Sequence, residues 1–112
     1  MKSLAYAGDT LHTGDEIASA VLDYAAALAG ARRADTVVIP VRRGSGTLGS
    51  AALLLGPASQ IVAADTSEGG PEIEDVAVVD DLRKRARALD SPTTAVFDGE
   101  PPVIVDPDEF DL

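Results

Sequence analysis

Thr36-Val37-Val38-Ile39-Pro40-Val41, then Arg42-Arg43-Gly44-Ser45-Gly46, then the apolar run Leu48 to Leu55: the fold of this chain turns on how these segments are read. The first is rich in β-branched residues, which suit a pleated backbone. Pro40 has no N–H to give a ladder, so it points to an edge position or a strand end. The second is a turn-forming cluster whose glycines supply positive φ. The simplest reading is a β-hairpin over about 36–55, two strands joined by an Arg-Gly-Ser-Gly turn.

The same residues carry a second reading. Gly44-Ser45-Gly46-Thr47-Leu48-Gly49 has the spacing G-x-G-x-x-G, and Leu48, Ala51, Ala52 and Leu55 also fit a helical face. Ile61-Val62-Ala63-Ala64 then ends in Asp65. This arrangement resembles a Rossmann-type dinucleotide-binding unit. The resemblance implies backbone amides of Gly44, Gly46 and Gly49 around a phosphate, with Arg42 and Arg43 beside them. Several details oppose it. Arg42 and Arg43 separate the strand from the first glycine, Gly56-Pro57 leaves a short helix, and Asp65 comes early for a ribose acid.

Outward from this centre, Ser3-Leu4-Ala5-Tyr6-Ala7 reads as a short first strand, broken by Gly8-Asp9-Thr10. A helix over 14–29 follows, with Ile17, Ala20, Val21, Tyr24 and Leu28 on one face. Thr13 and Glu16 form a Thr-x-x-Glu capping box, and Gly30 suits the stop. After an acidic loop at 65–75, Val76, Val79, Leu82, Ala86 and Leu89 mark a second helix over 76–89. Its Val76–Val79 part also fits a short strand. Ala95–Phe97 and Val103–Val105 read as brief strands in a proline-broken end. The expected architecture is α+β: a small, mostly antiparallel sheet packed against two helices. One compact domain spans 1–105, followed by an acidic tail at 106–112.

Composition sets the outer limits on function. A chain of 112 residues, 46% of them hydrophobic, supports a single core. Nineteen acids against nine Lys and Arg give a net charge of −10, which repels phosphates and anionic lipid. No nucleic-acid or membrane partner is therefore expected, and a basic protein partner is the charge-matched choice. Cysteine is absent, which removes disulfides and thiolate chemistry. Nothing resembles a signal peptide or a membrane span, so a cytoplasmic location is expected.

Catalytic constellations are sparse. His12 is the sole histidine, with Asp9, Asp15 and Glu16 near it in sequence, and reads as a solvent-facing residue where the helix begins. The carboxylates of Asp9, Asp15, Glu16 and Asp23 match no calcium loop. Arg83, Lys84, Arg85 and Arg87 complement a helix dipole, and Ser59 and Gln60 sit in a turn opened by Gly56-Pro57. Phe110 and Leu112, set among acids in the tail, are candidate partner-binding anchors. No cofactor is expected. The reading is a non-catalytic interaction or assembly module, with homodimerisation expected if the sheet leaves an apolar face uncovered. Val38, Leu53 and Leu55 are the candidates for that face. The alternative is a nucleotide- or phosphate-binding protein using Gly44–Gly49.

Overall fold

The computed structural model describes residues 1–43 and 46–90, without the side chain of Asp90. Five strands and two helices follow in the order β1 (Lys2–Tyr6), β2 (Asp9–Thr13), α1 (Asp15–Ala31), β3 (Asp35–Arg42), β4 (Leu48–Leu55), β5 (Ile61–Asp65) and α2 (Val76–Asp90). The strands form one antiparallel sheet in the order β4-β3-β2-β1-β5. This is the α+β architecture expected, with the first strand, the hairpin and both helices in place. Leu48–Leu55 is strand, so no helix follows Gly49. Ala95–Phe97, Val103–Val105 and the acidic tail lie outside the described residues.

The expected break at Gly8-Asp9-Thr10 is instead a tight connection. Ala7 (φ 52) and Gly8 (φ 82) both take positive φ, the geometry of a two-residue hairpin turn that matches strand twist. Asp9 then opens a second strand in register with the first, from Tyr6↔Asp9 to Lys2↔Thr13.

Helix α1 buries Ile17, Ala20, Val21, Tyr24 and Leu28, as its spacing predicts, and Ala18 besides. Its ends differ from expectation. Gly14 is the N-cap and makes no side-chain cap bond. Thr13 Oγ1 is drawn away to donate to the Pro40 carbonyl at 2.8 Å, so no capping box forms. The amide of Asp15 instead donates to Glu72 Oε2, brought from the distant acidic loop, at 2.6 Å. At the other end Gly30 lies inside the helix. Arg32 takes the left-handed conformation, with Arg32 N–H on Ala29 O and Arg33 N–H on Leu28 O, a Schellman closure without glycine.

Helix α2 starts at Val76, so the short-strand alternative for Val76–Val79 does not hold. Asp75 caps it, its Oδ1 accepting from the Val78 amide at 3.1 Å. Leu82 is buried, and Val78, Val79, Ala86 and Leu89 pack on the core beside it. Val76, expected on that face, is exposed, because the contact stripe runs through 78 and 79 instead.

Period-two alternation divides the sheet into two faces. Leu4, Leu11, Val37, Ile39, Val41, Leu53 and Leu55 point inward and join the α1 side chains in one core. Val38 points outward, as expected of a leftover face. Leu53 and Leu55 do not: the register Val37↔Leu53 and Asp35↔Leu55 places them with the buried set.

The sheet is sharply folded. β2 and β3 share one register pair, His12↔Arg42. In a flat sheet that register would hold Tyr6 and Leu54 about nine residues, roughly 30 Å, apart along the strands. Yet the Tyr6 hydroxyl donates to Leu54 O at 2.6 Å and accepts from Leu54 N–H at 3.0 Å. The β3–β4 hairpin therefore swings across the β1–β2–β5 sheet from a corner at His12 and Arg42. This explains how Pro40 is tolerated in a strand with neighbours on both sides. Its nitrogen faces the gap where β2 has left β3, and Thr13 serves its carbonyl there.

Candidate functional site

Residues 44–64 contain no charged side chain, in a chain that is 25% charged. This stretch builds β4, the turn after it and most of β5, and it lines the seam where the folded sheet meets itself. A cleft of 630 Å³ opens there, bounded by Ala5 and Tyr6, by Leu54 and Leu55, and by the turn Gly56–Gln60 with Val62. Such a volume is ample for a ligand, but the walls are mainly apolar and their polar groups are largely spent. Tyr6 holds the Leu54 backbone. Ser59 Oγ donates to Leu54 O and accepts from Gly56 N–H, both at 3.0 Å. Ser59 is thus the satisfied turn serine its sequence suggests, which leaves the Gln60 amide as the polar group at the rim.

Around the cleft lies the outer sheet face. Val38, Leu48, Leu54 and Val62 are 59%, 58%, 58% and 64% exposed, and it is their grouping on one face, not the exposure of any one, that is informative. Ala5, Ala52 and Ala64 extend the patch between them. None of the outward positions on the strands carries a carboxylate, although the chain has nineteen acids. Among the described residues no helix is long and apolar enough to cross a membrane.

The residues of the glycine-motif reading are scattered in their roles. Gly44 lies outside the described residues, as do Phe110 and Leu112. Gly46 is in the hairpin turn with φ 84, its amide on Arg43 O at 2.7 Å, and Gly49 is inside β4. Arg42 Nη1 donates to the carbonyls of Pro71 (3.0 Å) and Gly69 (3.4 Å), pinning the loop that crosses the fold corner. Arg43 pairs with Asp9 at 3.7 Å. Both guanidinium groups already have internal partners.

His12 packs beneath that same loop, where a Cβ on Gly69 would come within 3.0 Å of its own Cβ. The described residues hold no cluster of three or more His, Asp or Glu placed to bind a metal. The basic cluster on α2 is divided. Arg83 bonds Asp23 at 2.8 Å, Arg85 bonds Asp35 and Asp81 at 3.0 Å each, and Lys84 and Arg87 remain exposed.

A concentrated polar network sits between α1, β3 and α2. Tyr24 donates to Asp35 Oδ2 at 2.5 Å, and Arg85 donates to the same oxygen. The Tyr24 hydrogen bond, more than the Arg85 charge, holds the Asp35 carboxyl below its ordinary range. Burial pushes the Tyr24 hydroxyl up, and the neighbouring carboxylate adds to this. These groups bind one another and fasten α2; they leave no nucleophile or base free. Compared with protein-family models, with characterised proteins and with solved structures, the chain matches none.

Proposed function

We propose that this protein is a non-catalytic interaction or assembly module whose contact surface is the outer sheet face and the seam cleft. One observation carries the reading: an apolar, carboxylate-free face around Leu54, Val38 and Val62 on a chain of net charge −10. Exposed apolar surface of this kind is costly to keep in water and usually marks a contact. The Tyr6 and Ser59 hydroxyls at the cleft are engaged internally, which favours burial against another protein over turnover of a small substrate. Homo-oligomerisation is the form of assembly that needs no further component.

A photo-crosslinking residue placed at position 54, with position 84 on α2 as control, tests this in cells that produce the protein. Protein adducts at 54 and none at 84 are the expected result. Absence of any adduct at 54 removes the reading.

A further inference from the structure

β4 is an edge strand without the usual guards. It runs for eight residues and, among the described residues, pairs with β3 alone, in unbroken register from Leu48 to Leu55. It has no lysine, proline or bulge, the devices that normally keep an edge from recruiting another strand. The direction of its free backbone groups follows from Tyr6. Leu54 turns its N–H and C=O away from β3 to meet the Tyr6 hydroxyl. By alternation Leu48, Ser50 and Ala52 turn theirs outward as well. All three are exposed. A groove of 360 Å³ runs between Ser50–Leu53 and the β1–β2 hairpin, and the charges on its wall, Asp9 and Arg43, offset one another.

We infer that a second copy of this chain occupies this edge. β4 pairs antiparallel with β4 of the copy about a two-fold axis at Ser50, and the apolar outer faces on either side of the axis become continuous. The inference rests on the interaction-module reading and names its partner. Two arguments select a copy over other partners. An antiparallel pair of identical strands has two-fold symmetry, so the outward donors and acceptors of β4 complement themselves. Charge supplies the second argument. Two chains of net charge −10 repel through most of their surfaces, but 44–64 is neutral, so copies meet there without opposed charges. A basic partner would find no carboxylate on the outer strand positions to pair with.

Sedimentation of the full chain from low to high micromolar concentration is the test. A dimer is expected, and it tightens as salt rises, because screening relieves the net repulsion while no interfacial ion pair is lost. Ser50→Pro removes an outward N–H and leaves the β3 ladder intact; Pro40, directly opposite, shows that the hairpin accepts proline at this parity. This variant should weaken dimerisation at least about tenfold with an unchanged circular dichroism spectrum. Should it fail to fold, amide exchange of the unaltered protein decides: Ser50 and Ala52 gain protection with concentration if the inference holds. A chain that is monomeric at every concentration overturns it, as does a dimer whose Ser50 and Ala52 amides stay unprotected. Crosslinks from position 54 to a different protein, with a monomeric chain, sink this inference and leave the module reading standing.

Discussion

The two parts of the sheet are secured in different ways. The β1–β2–β5 part is tied by charge and close fit: Lys2 to Asp65, and Glu72 to the Asp15 amide and the Met1 amino group. In the β3–β4 hairpin the polar ties belong to β3, from Asp35 to Tyr24 and Arg85, from the Pro40 carbonyl to Thr13 and from Arg42 to the loop beyond β5, while β4 has apolar burial on one side, its ladder to β3 and the Tyr6 hydroxyl. A two-stranded ribbon is marginal by itself. The contrast teaches that the charged strands are built to hold their own chain, while neutral β4 has contacts left to give.

Substitutions can break that contrast where it is strongest. Leu53, 1% exposed, anchors the hairpin in the core, and Leu53→Ala should cost about 2–5 kcal/mol by chemical denaturation. Leu54→Asp, one residue on, should change the stability of the separate chain by no more than about 0.5 kcal/mol while abolishing association. Equal losses at the two positions would erase the distinction between the faces. In the other part the critical fit is Gly14. A Cβ there would lie 1.8 Å from the Ile73 carbonyl oxygen, although the backbone conformation itself suits alanine. Gly14→Ala should therefore cost about 3 kcal/mol through steric overlap alone and expose the amides of residues 72–75 to exchange. A neutral Gly14→Ala would show that the loop carrying Glu72 and Ile73 is looser than its charged contacts imply.

A smaller effect sharpens the comparison. Tyr6→Phe removes the one hydroxyl that both gives to and takes from the Leu54 backbone, and should cost about 1–2 kcal/mol. The loss should appear as faster exchange of the Leu54 amide, with the β1–β2 and β1–β5 ladders unchanged.

Smallest is the pH effect at the α2 anchor. Asp35 sits below its usual value of 3.8, mainly through the Tyr24 hydroxyl. A depressed carboxyl contributes stability above its unfolded value, and that contribution fades as pH falls through the folded one. Tyr24→Phe should reduce this acid-side loss, visible as a shallower fall in melting temperature below pH 4. An identical pH slope in both proteins would remove the hydroxyl as its cause.

Much of this was legible along the chain and some was not, for definable reasons. The α1 face, the hairpin at 36–55 and β1 were readable because each is a local pattern of side chains. β2 was not, because Ala7-Gly8-Asp9 lacks the Asn-Gly signal of a hairpin turn and Leu11 and Thr13 alternate too weakly. The Thr13 capping box was a sound local match, lost to Pro40, a competitor twenty-seven positions away. Leu53 and Leu54 are chemically identical, and only the register with Val37 and Thr36 sends one inward and the other out. The seam itself depends on a fold at His12 and Arg42 that no periodicity announces. The Ser59 turn was legible in chemistry but not in position.

The tie between Tyr6 and Leu54 spans 48 residues, and this gives the molecule a clock as well as a shape. The β1–β2 and β3–β4 hairpins are local, and local contacts form on the microsecond scale, so the Tyr6–Leu54 contact is expected to form after them. A contact made that late is absent from the barrier to folding and present in the barrier to unfolding. Loss of the Tyr6 hydroxyl should therefore shorten the lifetime of the native state while leaving its rate of formation unchanged.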